Sequence, residues 1–168
     1  MRFVTTKLKN YMIWYLAILI AAGIIREKEA FLILQVGIAL VTAVFIEGIF
    51  YFIKEKKVFI SSSAIISALI ISGVMIEGAK SLFIIFAVLV ALFSKYLIRW
   101  RARHIFNPAN LGLLAVSLFF SVGFSWWAGE TAWLVIILGL FIAFRMKNFY
   151  LVGSYIITTM LCFMAYSL

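Results

Sequence analysis

The chain is short of almost everything a soluble protein uses at its surface. Only 12% of its 168 residues are charged, and six of those are acidic; a soluble domain carries about 25%. There is one cysteine, one histidine and one proline. A single thiol, Cys162, closes no intramolecular disulfide and by itself builds no iron–sulfur or zinc site. Inside an apolar run it reads as a small buried hydrophobe. His104 has no second histidine or carboxylate at ligand spacing, so it reads as a surface or headgroup residue rather than a metal ligand.

What is present is apolar. Hydrophobic residues make up 67% of the chain and aromatics 17%, with a mean hydropathy of +1.19. A soluble core of 168 residues has no room for that much apolar surface, so the composition predicts an all-α integral membrane protein. The net charge of +9 does not argue for nucleic acid, because the cations stand in short clusters between apolar runs, where membrane topology puts them. Arg2, Lys7 and Lys9 precede an apolar run in the manner of a signal peptide. Further hydrophobic runs follow and no A-x-A site is seen, so this run is expected to be retained as a first span.

About seven transmembrane helices are expected, over residues 11–25, 31–53, 58–76, 81–98, 108–124, 131–144 and 149–167. A hydrocarbon core of about 30 Å takes about 20 helical residues. The fifth and sixth runs are shorter and are expected to reach into the interface, with Trp126, Trp127 and Trp133 as anchors. With the N-terminus in the cytoplasm, and counting Lys95 at the cytoplasmic end of the fourth span, twelve of the fifteen Lys and Arg lie inside. Arg26, Lys28 and Lys80 lie outside, which is a strong positive-inside bias and puts the C-terminus outside.

Residues 99–110 organise the pattern. They hold three arginines, the histidine and the proline. Asn107 is a favoured N-cap, and Pro108 suits the first helical position, where its missing N–H costs nothing. Asn110 then falls in the first turn, at the positive end of the helix dipole. Ser61, Ser62 and Ser63 open the third span on the same side. Free N–H groups beside Arg103 suit a phosphate or another anion; serine caps and lipid headgroups are the competing explanation. Within the spans, Glu47 needs a partner or water. The topology brings it into the same leaflet as Lys95 and Arg99, so an ion pair and independent snorkelling are both open. Spans one and two, with their charged turn, resemble spans six and seven in spacing, as an inverted repeat would.

Three stretches carry a family resemblance. Ser62-Ser63-Ala64-Ile65-Ile66-Ser67-Ala68-Leu69-Ile70, then Ser94-Lys95-Tyr96-Leu97, then Phe106-Asn107-Pro108-Ala109 resemble the NqrB/RnfD family in order and spacing over about residues 11–124. These are membrane subunits of ion-pumping NADH:quinone and ferredoxin:NAD oxidoreductases. Glu47 stands where that family tends to have a glutamate before a basic loop. The resemblance implies ten helices in two inverted five-helix repeats. This chain would hold a cytoplasmic basic tail (1–10), the first five-helix repeat (11–124) and two helices of the second (125–168).

The resemblance also implies flavin (FMN or riboflavin) close to quinone and ion pathways. The family's covalent FMN sits on the threonine of an SGAT stretch; this chain has none, so flavin is expected to bind noncovalently. Ser62, Ser63, Arg103, Asn107 and Asn110 are the candidate phosphate-binding residues, and Glu47 and Lys95 the intramembrane charges. Expected partners are the bilayer, quinone, the other membrane subunits of an electron transport complex and a chain supplying the missing helices. The chain is expected to act as a subunit and not as an enzyme alone. Two other readings stay open: an inverted-repeat transporter or channel working as a homo-oligomer without redox chemistry, and a fragment that depends on a partner.

Overall fold

The computed structural model describes residues 2–56, 61–100, 103–104, 106–146, 149–150, 153–154, 157–158 and 164. Among these residues the fold is helical. In order come α1 (Arg2–Glu27), α2 (Ala30–Glu55), α3 (Ser62–Val74), α4 (Ser81–Leu97), the two-residue strands β1 (Arg99–Trp100) and β2 (Arg103–His104), α5 (Pro108–Phe120), a 3-10 turn (Trp127–Gly129) and α6 (Ala132–Met146). Two stretches are long and apolar enough to cross a membrane, Leu8–Glu27 and Ala30–Ile53. The expected seventh span, 149–167, lies largely outside the described residues, as does the start of the third, 58–60.

Residues 1–10 were expected as a tail, but from Arg2 onward they are the first turns of α1. Only Lys28 and Glu29 separate α1 from α2. Lys28 takes a left-handed φ of 56°, which turns the chain back on itself, and its N–H reaches Ile24 O at 2.9 Å. The segment expected as a plain loop after α4 folds into an antiparallel hairpin pairing Arg99 with His104 and Trp100 with Arg103. Asn107 then caps α5. Its backbone is extended, and its Oδ1 accepts from Ala109 N–H at 3.1 Å, with Pro108 opening the helix.

α5 stops at Phe120 and not at Phe124, because Ser121 adopts the left-handed conformation (φ 52°) and its N–H closes on Ser117 O. The freed segment turns to meet the end of α3. Phe124 bridges Met75, and Ser125 N–H donates to Val74 O at 3.0 Å. Trp127, expected as an interfacial anchor, is instead fully buried, whereas Trp126 and Trp133 are exposed. Trp127 donates from Nε1 to Ser72 O at 3.0 Å and packs with Ala128 among Leu16, Ile20, Leu32 and Leu69. Gly23 makes this approach fit, since a Cβ there would lie 2.8 Å from the indole. By its contacts the chain divides into two compact units, Met1–Thr131 and Ala132–Leu168.

The main core of the first unit lies where α2, α3, α4 and α5 meet. Three helices each bring an alanine pair four residues apart: Ala39 and Ala43, Ala64 and Ala68, Ala87 and Ala91, all buried. Residues at i and i+4 share one helix face, and small side chains there let backbones approach closely. α5 comes close to α4 at Gly112, where a Cβ would stand 2.3 Å from the carbonyl oxygen of Ala87.

Gly112→Ala therefore forces α5 off α4 and is expected to cost about 1–3 kcal/mol, the usual penalty for overpacking. A Cβ on Gly48 meets nothing within 4 Å. Gly48→Ala is expected to be neutral or stabilising by up to about 1 kcal/mol through helix propensity. Thermal unfolding of the two purified variants checks the contrast.

Candidate functional site

Glu47, on α2, is fully buried and sits amid donors from two other helices. Its Oε1 accepts from Lys95 Nζ at 2.6 Å, from Ser61 Oγ at 2.6 Å and from Tyr96 OH at 2.9 Å. Lys95, with a side chain 7% exposed, also donates to Ser61 Oγ at 2.8 Å. Lys95 and Tyr96 are adjacent on the last turn of α4, and Ser61 is the residue that starts α3. The group therefore fastens the end of α4 and the start of α3 to the interior of α2.

Ser61 has two roles. Its backbone is extended (φ −83°, ψ 139°), and its Oγ caps α3 by accepting from Ala64 N–H at 3.4 Å. Its one proton points at Glu47, and Ser63 Oγ lies 3.0 Å from Ser61 Oγ. Aromatic rings close one side. Phe50 stacks on Tyr96 at 4.3 Å and meets Phe93 edge-on at 5.2 Å, and Lys95 Nζ lies 5.3 Å from the Tyr96 ring centre. Glu47 Oε2 is buried and has no hydrogen-bond partner among the described atoms.

The structure thus joins four of the residues singled out from sequence: Glu47, Lys95, Ser61 and, through Ser61, Ser63. Of the two ion pairs left open it forms Glu47–Lys95; the Arg99 side chain lies outside the described residues. The start of α3 already has an anion, the protein's own Glu47 carboxylate, held through the capping serine. Ser62 stands half-buried beside it on the first turn. The other candidates lie apart from this group: Asn107 caps α5, Asn110 is exposed on its first turn, and Arg103 belongs to β2. No hydrogen bond links Asn107 or Asn110 to the serines among the described residues.

Sequence reasoning missed two contributors here, the hydroxyl of Tyr96 and the double use of Ser61. It also missed a neutral cluster at the other end of α3. Gln35 Nε2 donates to Ser72 O at 2.9 Å and to Met75 O at 3.4 Å, while Gln35 Oε1 is buried and unpartnered among the described atoms. Gln35 as the one polar residue amid the apolar start of the second span was the signal available for it. Comparison with protein-family models, with curated proteins and with solved structures found no match.

Breaking a buried ion pair from one side costs about 3–5 kcal/mol, because the partner charge is stranded, whereas apolar replacement of both is often near neutral. Lys95→Met is expected to fall in that range. Adding Glu47→Leu to it is expected to recover most of the loss. Tyr96→Phe removes one bond to a charged acceptor and is expected to cost about 1.5 kcal/mol. Denaturant unfolding of the single and double variants measures the coupling.

Proposed function

We propose that this chain is a membrane subunit of a redox-driven, ion-translocating electron transport complex of the Rnf/Nqr type. It would cross the cytoplasmic membrane several times with its N-terminus inside. The observation that supports this reading most is the buried Glu47–Lys95 pair. Lys95 belongs to one of the stretches that resemble the NqrB/RnfD family, Glu47 stands where that family tends to have a glutamate, and the two meet at 2.6 Å from two different helices. Ionisable residues inside membrane helices are costly and mark ion or proton pathways. Two long apolar helices and many exposed apolar side chains, including Ile33, Leu34, Phe45 and Phe52 on α2, support the membrane placement.

On this reading the carboxylate of Glu47 holds charge in the ion path. Lys95 keeps it neutralised while no other cation is near, and Ser61 and Tyr96 fix its Oε1 so that Oε2 is the atom left to take a cation or proton. A flavin would supply one-electron chemistry when bound. The start of α3 does not suit its phosphate, because Ser61 is committed to Glu47 and Ser63 to Ser61. The start of α5 suits it better: Asn107 and Asn110 are exposed there at the positive end of the helix, just after Arg103. Those three residues would hold the phosphate and orient the ring system toward the partner subunits.

The test is a visible absorption spectrum of the full chain purified in mild detergent, before and after acid precipitation. A flavin band released by acid, together with co-purifying membrane subunits, is the expected result, and Arg103→Ala is expected to weaken flavin retention. Absence of both flavin and partners sinks the proposal. Solute or ion flux into liposomes without an electron donor, above that of empty liposomes, would favour the transporter or channel alternative.

A further inference from the structure

Helices α2 and α4 leave a groove of about 620 Å³ along their length. Its walls are apolar: Val41, Phe45, Ile49 and Ile53 on α2, Leu89 and Phe93 on α4. From Val41 to Ile53 the groove follows twelve residues of helix, about 18 Å. One leaflet of a bilayer offers acyl chains of similar reach, half of a core of about 30 Å.

Its ends differ. Phe50 meets both Phe93 and Tyr96, and Glu47 meets Lys95, so α2 and α4 run side by side and finish at the same end. There α2 passes into Lys54, Lys56 and Lys57, and α4 into Arg99, Arg101 and Arg103, with Glu55 the one acid among them. An apolar slot one leaflet deep, in a chain whose sequence gathers six cations around the C-terminal ends of the two helices that wall it, is complementary to a ligand with a hydrocarbon tail and a negative head. Apolar burial favours the tail, and a basic cluster at the membrane surface attracts the anionic head.

We propose that this groove is a binding site for one acyl chain of an anionic phospholipid, with its headgroup phosphate at the basic end of α2 and α4. The inference rests on the membrane placement proposed above. It gives the lipid a route to the buried charges. Phe50 lines the groove and stacks on Tyr96 at 4.3 Å, and the Tyr96 hydroxyl donates to Glu47. A tail in the groove bears on the ring that positions that hydroxyl.

The full chain, stripped of lipid in detergent, would be offered phosphatidylglycerol or phosphatidylcholine with the same acyl chains and examined by native mass spectrometry. One phosphatidylglycerol per chain is expected, retained about tenfold better than phosphatidylcholine on the scale of a few surface lysines. Ile49→Trp fills the groove from a partly exposed position and is expected to abolish retention of both lipids. Leu118→Trp, exposed on α5 and outside the groove, is expected to leave it intact. The combined Lys54→Gln, Lys56→Gln and Lys57→Gln variant is expected to keep the lipid and lose the preference for the anionic head.

Failure to retain either lipid, or equal retention by Ile49→Trp, overturns the proposal. So does a dimer that Ile49→Trp dissolves, which would assign the groove to a second copy. Alkaline carbonate extraction of expressing membranes separates the two levels. A chain that stays in the membrane but holds no lipid defeats this inference alone, and a chain released by carbonate defeats the membrane reading itself.

Discussion

A carboxylate with no exposed surface dictates the arrangement of the first unit. Burying the charge of Glu47 is tolerable only with a cation and several donors at hydrogen-bond distance. Those donors come from Ser61 before α3 and from Lys95 and Tyr96 at the end of α4. Two helix ends are therefore tied to one point on α2, and the rotation of all three helices follows. The alanine pairs at 39 and 43, 64 and 68, and 87 and 91 remove the bulk that would keep the helices apart. Neither device suffices alone. Small residues permit close approach without choosing a register, and the ion pair chooses a register but needs the backbones near.

α3 is held at both ends in different currencies. Its start is bound by charge, through the serine that caps it. Its last turn is bound by neutral donors, the Gln35 amide, the Trp127 indole and the Ser125 backbone, all directed at carbonyls with no partner in the helix. A 13-residue helix has little stability of its own. Here side chains from elsewhere in the chain satisfy the groups that its ends leave open.

Much of this was legible in the sequence. Apolar runs and basic breaks give the helices, and Asn107-Pro108 gives the start of α5 with its cap. The shared leaflet of Glu47 and Lys95 made their pairing one of two options. What escaped depends on the chain doubling back. Trp127 carries no local sign of burial; it is buried because the left-handed turn at Ser121 sends the next residues over the end of α3. The left-handed Ser121 is equally hard to read, since serine favours no such conformation and tertiary pairing with Met75 and Val74 decides it. Ser61 was read only as one of three serines, and its second bond, to a carboxylate fourteen positions earlier, has no signature in the serine run.

Four of the helices also share a dimension. α3 and α5 have thirteen residues each, about 20 Å of helix. On α1, Lys9 and Arg26 bracket sixteen residues free of Lys, Arg, Asp and Glu, about 24 Å. α4 has seventeen residues, about 25 Å. On the proposed placement in a bilayer, these four lengths fall below a hydrocarbon thickness of about 30 Å, whereas the 24-residue apolar stretch Ala30–Ile53 of α2, about 36 Å, exceeds it and fits by tilting. Tilting makes a short helix shorter still along the membrane normal, so it offers no relief. The surrounding lipid must yield, at a fraction of a kcal/mol per ångström of mismatch. On that placement the four short helices make the protein a gauge of its membrane: short-chain lipids fit them, and thick, ordered membranes would stretch against them while α2 adjusts by its tilt.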